Sequence, residues 1–150
     1  CGLWRDRCWR KKYLLPAGYT FIFPDADATV NRSSPGCIAI YWVALKYDLR
    51  FPLHEVILEI LNKYELAPTQ IVPTSWHNIC FFIVTCELTK LAGIVRAFQL
   101  VHMVQKAPSE AGETSWYNLN NRKGLITTIE KKSKLKNWKC DFLFVHWVIE

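Results

Sequence analysis

The chain has 150 residues, enough for one domain that buries about two-thirds of its surface on folding. With 51% of residues apolar and 14% aromatic it has ample material for a core, which excludes a disordered tract. The net charge of +6 is uneven: +4 over residues 1–12 and +6 over residues 122–139 are set against −2 between them and −2 over the last eleven residues, so two basic ends flank a nearly neutral body.

Such ends suit an anionic partner, although solvated surface lysines explain them equally. The six cysteines, Cys1, Cys8, Cys37, Cys80, Cys86 and Cys140, contain no C-x-x-C pair, which removes zinc-ribbon and thioredoxin readings. Free thiols in a reducing, intracellular compartment are expected. Leu3-Trp4-Arg5-Asp6-Arg7 interrupts any apolar leader, and the first residue is not Met, so a piece of a longer protein is expected.

In chain order, residues 1–12 read as a basic, irregular segment. Tyr13 to Pro24 holds two prolines and Gly18, so Tyr19-Thr20-Phe21-Ile22-Phe23 reads as a short strand or an extended arm. Residues 25–36 are turn-rich. From Gly36 to Asp48 the stripe Cys37, Ile40, Tyr41, Ala44, Leu45 predicts a first helix. A second is predicted from Pro52, at its first position, to Tyr64, with Leu53, Val56, Ile57, Ile60 and Leu61 inward.

Pro73 to Leu91 is the longest apolar stretch. Ile79 to Val84 contains no polar residue, and apolar side chains occur at every helical angle. That predicts a core helix buried on several sides, far short of the ~20 residues of a membrane span, so no membrane association is expected. A fourth helix is predicted from about Gly93 to Leu100. Beyond it the period falls to two. Val101–Gln105, Ser115–Leu119 and Asn137–Trp147 read as strands. The predicted class is α+β, about four packed helices followed by a small antiparallel sheet near the C-terminus. The domain is bounded at 13–147, with 148–150 as a truncated tail.

Chemistry is sparse. Asp25, Asp27 and Asp48 could be imagined as a two-metal acidic cluster, but Asp25 and Asp27 fall in a loop, where solvated acids are the simpler reading. His54, His77, His102 and His146 have no metal-ligand spacing, and no G-x-S-x-G or phosphate-binding glycine loop occurs. No catalytic residue, metal or cofactor is expected. The most suggestive tract is basic: Arg122, Lys123, Lys131, Lys132, Lys134, Lys136 and Lys139 with Trp138, in which lysines could neutralise phosphates while tryptophan stacks on a base. The alternative is that Trp138 closes the core.

Several stretches share one resemblance. They are Leu49-Arg50-Phe51-Pro52-Leu53-His54, then Leu66-Ala67-Pro68-x-Gln70-x-x-Pro73-x-x-Trp76, then Phe81 to Leu88. Trp116-Tyr117, Arg122-x-Gly124, Lys136-x-Trp138-Lys139 and Phe142-x-Phe144-Val145 follow, with Tyr13-x-x-Pro16, Pro24, Pro35-Gly36 and Tyr41 upstream. Together, over about residues 13–147, they resemble the gypsy-type transposase domain of plant retrotransposon-derived proteins. The resemblance implies a Gag-proximal or Gag-like segment and supplies no active-site residue. The chain departs from that pattern at Val72, where the family commonly has a Thr able to cap the next helix. Losing such a cap costs about 1 kcal/mol, with Thr74 or Thr69 as candidate replacements. The expected function is a non-enzymatic assembly or interaction module of a larger polyprotein, self-associating. The alternative is a nucleic-acid-binding domain that meets RNA or DNA through the basic tract.

Overall fold

The structure is a computed structural model, and it describes residues 8–25, 27–30, 35–108, 115–122 and 138–147. After a helical turn over residues 8–12 come β1 (Tyr19–Ile22), β2 (Cys37–Tyr41) and a 3-10 segment (Trp42–Tyr47). Then follow α1 (Glu55–Lys63), a short 3-10 turn (Pro68–Gln70), α2 (Pro73–Leu88) and α3 (Ile94–Val101). β3 (His102–Lys106), β4 (Tyr117–Asn121), a 3-10 turn (Trp138–Cys140) and β5 (Phe142–Trp147) complete the described order. The class is α+β, with antiparallel sheet near the C-terminus as expected.

The strands divide between two sheets. β3 and β4 pair antiparallel from His102↔Asn121 to Lys106↔Tyr117. β5 does not join them. It lies between β1 and β2, antiparallel to both, with Tyr19↔Trp147 on one side and Tyr41↔Phe142 on the other. The C-terminal strand therefore ties down the N-terminal third of the chain.

This pairing corrects the first expected helix. Cys37 to Tyr41 is a strand and Trp42 to Tyr47 a 3-10 segment. The run Ile38-Ala39-Ile40-Tyr41 satisfies both periods, and β-branched residues favour the pleated form once a partner strand is present. Pro52 is a second correction. It follows a cis peptide bond, and α1 begins at Glu55 with His54 as its cap, whose Nδ1 accepts the Val56 N–H at 3.2 Å. Residues 8–12, expected irregular, are helical instead. Trp9 explains this by packing edge-on against Tyr13, Phe21, Phe23 and Trp42.

At the centre lies α2, packed against the first 3-10 segment, β4 and α3. Trp76, Ile79, Phe82, Ile83 and Cys86 are buried in a core shared with Ile40, Leu45, Leu49, Phe98, Leu119 and Leu143. Two buried polar residues fix its position along β4. Ser75 Oγ accepts the Leu119 N–H at 2.9 Å, and Asn78 Nδ2 donates to the Leu119 carbonyl at 3.1 Å. Both main-chain groups of Leu119, on the edge of β4 turned away from β3, are thus satisfied by helix side chains. Val72 caps α2 with no side-chain bond; its N–H donates to Tyr117 O at 3.0 Å, docking the helix entrance on the same strand.

Candidate interaction surface

Helical geometry sorts α2 into two opposed faces. At 100° per residue, His77, Phe81, Val84 and Leu88 fall in one stripe, and Ile79, Phe82, Ile83 and Cys86 lie opposite. The second set is the core. The first faces outward, with Phe81 44%, Val84 52% and Leu88 80% exposed. The expectation that this helix is buried on several sides holds for its inner side and flanks and is corrected at this stripe. Its greasiness continues onto solvent, because the fold supplies packing elements for its inner side and flanks only.

One flank of the stripe is walled by residues 48–54. Asp48 ends the first 3-10 segment in the left-handed region (φ 72°), a conformation that Asp tolerates better than most residues. Its Oδ2 accepts from His77 Nδ1 at 2.7 Å. Further along, His54 Nε2 meets Glu87 Oε1 at 2.9 Å. Since His54 Nδ1 already accepts the Val56 N–H, its proton sits on Nε2 and donates to Glu87. Between these two pins, Arg50 Nη1 donates to the carbonyls of Leu45 and Leu49 at 2.7 and 2.8 Å, which fixes the guanidinium in place. Asp48, Arg50, His77, Cys80, Phe81 and Val84 line a shallow cleft of about 390 Å³.

The cleft holds a cysteine, a histidine and a carboxylate, but not in a nucleophile's arrangement. Burial first, then the Asp48 carboxylate, push the Cys80 thiol up to about 11, with Arg50 opposing weakly. A catalytic cysteine requires the reverse, a thiol held down by neighbouring positive charge. His77 spends its Nδ1 on Asp48, and Cys80 Sγ lies 3.5 Å from the Asp48 carbonyl oxygen. What the cleft offers is an apolar floor with hydrogen-bonding groups along one rim.

The residues proposed for nucleic-acid contact are partly placed. Trp138 is half-buried, edge-on to Tyr41 at 4.8 Å and Trp116 at 5.7 Å. Lys139 is exposed, with its ammonium 3.9 Å from the centre of the Trp116 ring. Arg122 is exposed, and its N–H donates to Val101 O at 2.7 Å. Lys123, Lys131, Lys132, Lys134 and Lys136 lie outside the described residues. At the other basic end, the Arg10 side chain donates to Tyr19 O and Thr20 Oγ1. Among the described residues no three His, Cys, Asp or Glu side chains gather as a metal site; Asp48, imagined with Asp25 and Asp27, pairs with His77. No described helix is long and apolar enough to cross a membrane.

The outward stripe was missed from sequence because Phe81 and Val84 are as apolar as Ile79 and Ile83. The local signals were polar residues at and beside the stripe, His77 within it and Thr85 and Glu87 on its two flanks.

Among the described residues, fold and surface together give a small α+β fold in which one side of a core helix is left open. Residues 39–106 match the family model described as "Putative gypsy type transposon". The matched segment contains the whole of α2 and the wall beside it. Neither curated proteins nor solved structures give a match.

Proposed function

We propose that this chain is a non-enzymatic assembly or interaction module of a larger retrotransposon polyprotein, Gag-like and of plant type, working in a reducing intracellular compartment. The observation that carries the reading is the exposed stripe Phe81, Val84 and Leu88 on a helix anchored through its opposite face. An apolar row on a rigid helix, rimmed by polar groups, is the ordinary form of a protein–protein contact. Cys8, Cys37, Cys80 and Cys86 are free thiols, in keeping with that compartment. Light scattering on the purified chain tests the reading. Mass should rise with concentration, and a strict monomer at high concentration would count against self-assembly.

A second reading, nucleic-acid binding through residues 122–139, is favoured by the +6 charge of that tract and by the exposure of Arg122 and Lys139. Affinity for RNA or DNA should then fall steeply with salt. Replacing Lys131, Lys132, Lys134 and Lys136 together should flatten the slope by about 3–4 units, and an unchanged slope removes this reading.

A further inference from the structure

We infer that the outward stripe of α2 pairs with the same stripe of a second copy, antiparallel about a two-fold axis, each copy's Leu88 seated in the other's cleft. The inference rests on the interaction-module reading and names its partner. α2 carries a cleft toward its N-terminal half, lined by His77, Cys80, Phe81 and Val84 together with the wall residues Asp48 and Arg50. About 10 Å further along the same stripe it carries a projecting apolar side chain, Leu88, the most exposed large hydrophobic of the described residues. A hole and a knob on one face of one helix are self-complementary under an antiparallel two-fold, the commonest symmetry of soluble dimers. An axis midway between His77 and Leu88 sets each Leu88 over the other copy's His77 and brings Phe81 against Val84.

The orientation decides where the two rims lie. The wall of residues 48–54 runs beside α2 from the Asp48–His77 contact to the His54–Glu87 contact. An antiparallel two-fold keeps both walls on the same side of the pair and runs them in opposite directions. Glu87 of one copy then comes level with residues 77 and 78 of the other, beside both Asp48 and Arg50. A parallel pair instead puts each wall on the opposite side and leaves Leu88 against Leu88, with both clefts unfilled.

Two measurements decide it. Sedimentation equilibrium should show a monomer–dimer equilibrium without larger species, weakened roughly a hundredfold or more by Leu88→Asp, which would bury a charge at the contact. Oxidation of an equimolar mixture of Leu88→Cys and His77→Cys chains, both carrying Cys80→Ser so that no native thiol lies in the cleft that receives residue 88, should link unlike chains well above either variant alone, with the Cys80→Ser chain as the blank. Circular dichroism melts should first show both variants folded. If His77→Cys melts early, Leu88→Asp still tests the contact by sedimentation, and the absence of linkage within Leu88→Cys alone still excludes the parallel pair. Open-ended oligomers, or linkage within Leu88→Cys alone, overturn the antiparallel pair and leave the module reading standing. A dimer indifferent to Leu88→Asp puts the interface elsewhere and overturns the inference. A strict monomer overturns the pair and self-assembly together, and loss of RNA capture on Leu88→Asp would give the surface to nucleic acid.

Discussion

Acidifying the protein from pH 7.5 to 4 should remove about 3 kcal/mol of stability through His102 alone. This side chain is 1% exposed at the junction of α3 and β3. Its ring stacks on Phe98 at 4.0 Å and meets Phe82 edge-on at 5.0 Å, while Nδ1 donates to the Phe98 carbonyl at 3.3 Å. Burial lowers its pKa from 6.5 to about 4, outweighing the hydrogen bond to the Phe98 carbonyl and the neighbouring Asn121 side chain, both of which favour the charged ring. The unfolded chain takes up a proton as pH falls below about 6.5, whereas the folded one resists until about 4. Stability is therefore constant above pH 7 on this account, falls between 6.5 and 4, and levels off below. At about 1.36 kcal/mol per unit, the gap is worth about 3 kcal/mol, a large share of the 5–15 kcal/mol typical of a domain. Urea unfolding at several pH values, on wild type and His102→Leu, isolates the effect because other titrating groups are common to both chains. The wild type should lose about 3 kcal/mol more than the variant between pH 7.5 and 4. Parallel curves would refute the buried, neutral histidine.

Ile79→Ala, on the inner face of α2, should cost about 2–5 kcal/mol in the same unfolding assay, since the surrounding core can only partly close the cavity. Asn78→Ala should cost about 1–3 kcal/mol, because it leaves the Leu119 carbonyl buried without that partner. At pH 8 a maleimide should label the exposed Cys8 rapidly and Cys80 far more slowly, as Cys80 remains a protonated thiol; equal rates, resolved by peptide mass, would contradict its placement.

The three regular helices were legible because their apolar residues are local and continuous. Val56, Ile57, Ile60 and Leu61 mark α1, and Ile79, Phe82, Ile83 and Cys86 mark α2. β2 was not legible. Cys37, Ile40, Tyr41, Ala44 and Leu45 fit a helical stripe, and only β5, about a hundred residues away, makes the same run a strand. The start of α1 was misplaced for a similar reason. Pro52 suits a first helical position, but His54 is the residue whose ring closes the cap. Which face of α2 stays open was invisible, since apolar residues surround the helix and only neighbours distant in sequence choose among them. The Asp48–His77 and His54–Glu87 contacts join residues 29 and 33 apart, beyond any spacing rule.

The division of α2 into a core side and a working side is tested most directly by Val84→Asp, with folding stability and sedimentation measured on the same sample. Val84 points outward, so unfolding free energy should change by less than about 1 kcal/mol while self-association disappears. A loss of several kcal/mol in stability, or association that persists unchanged, would contradict the account.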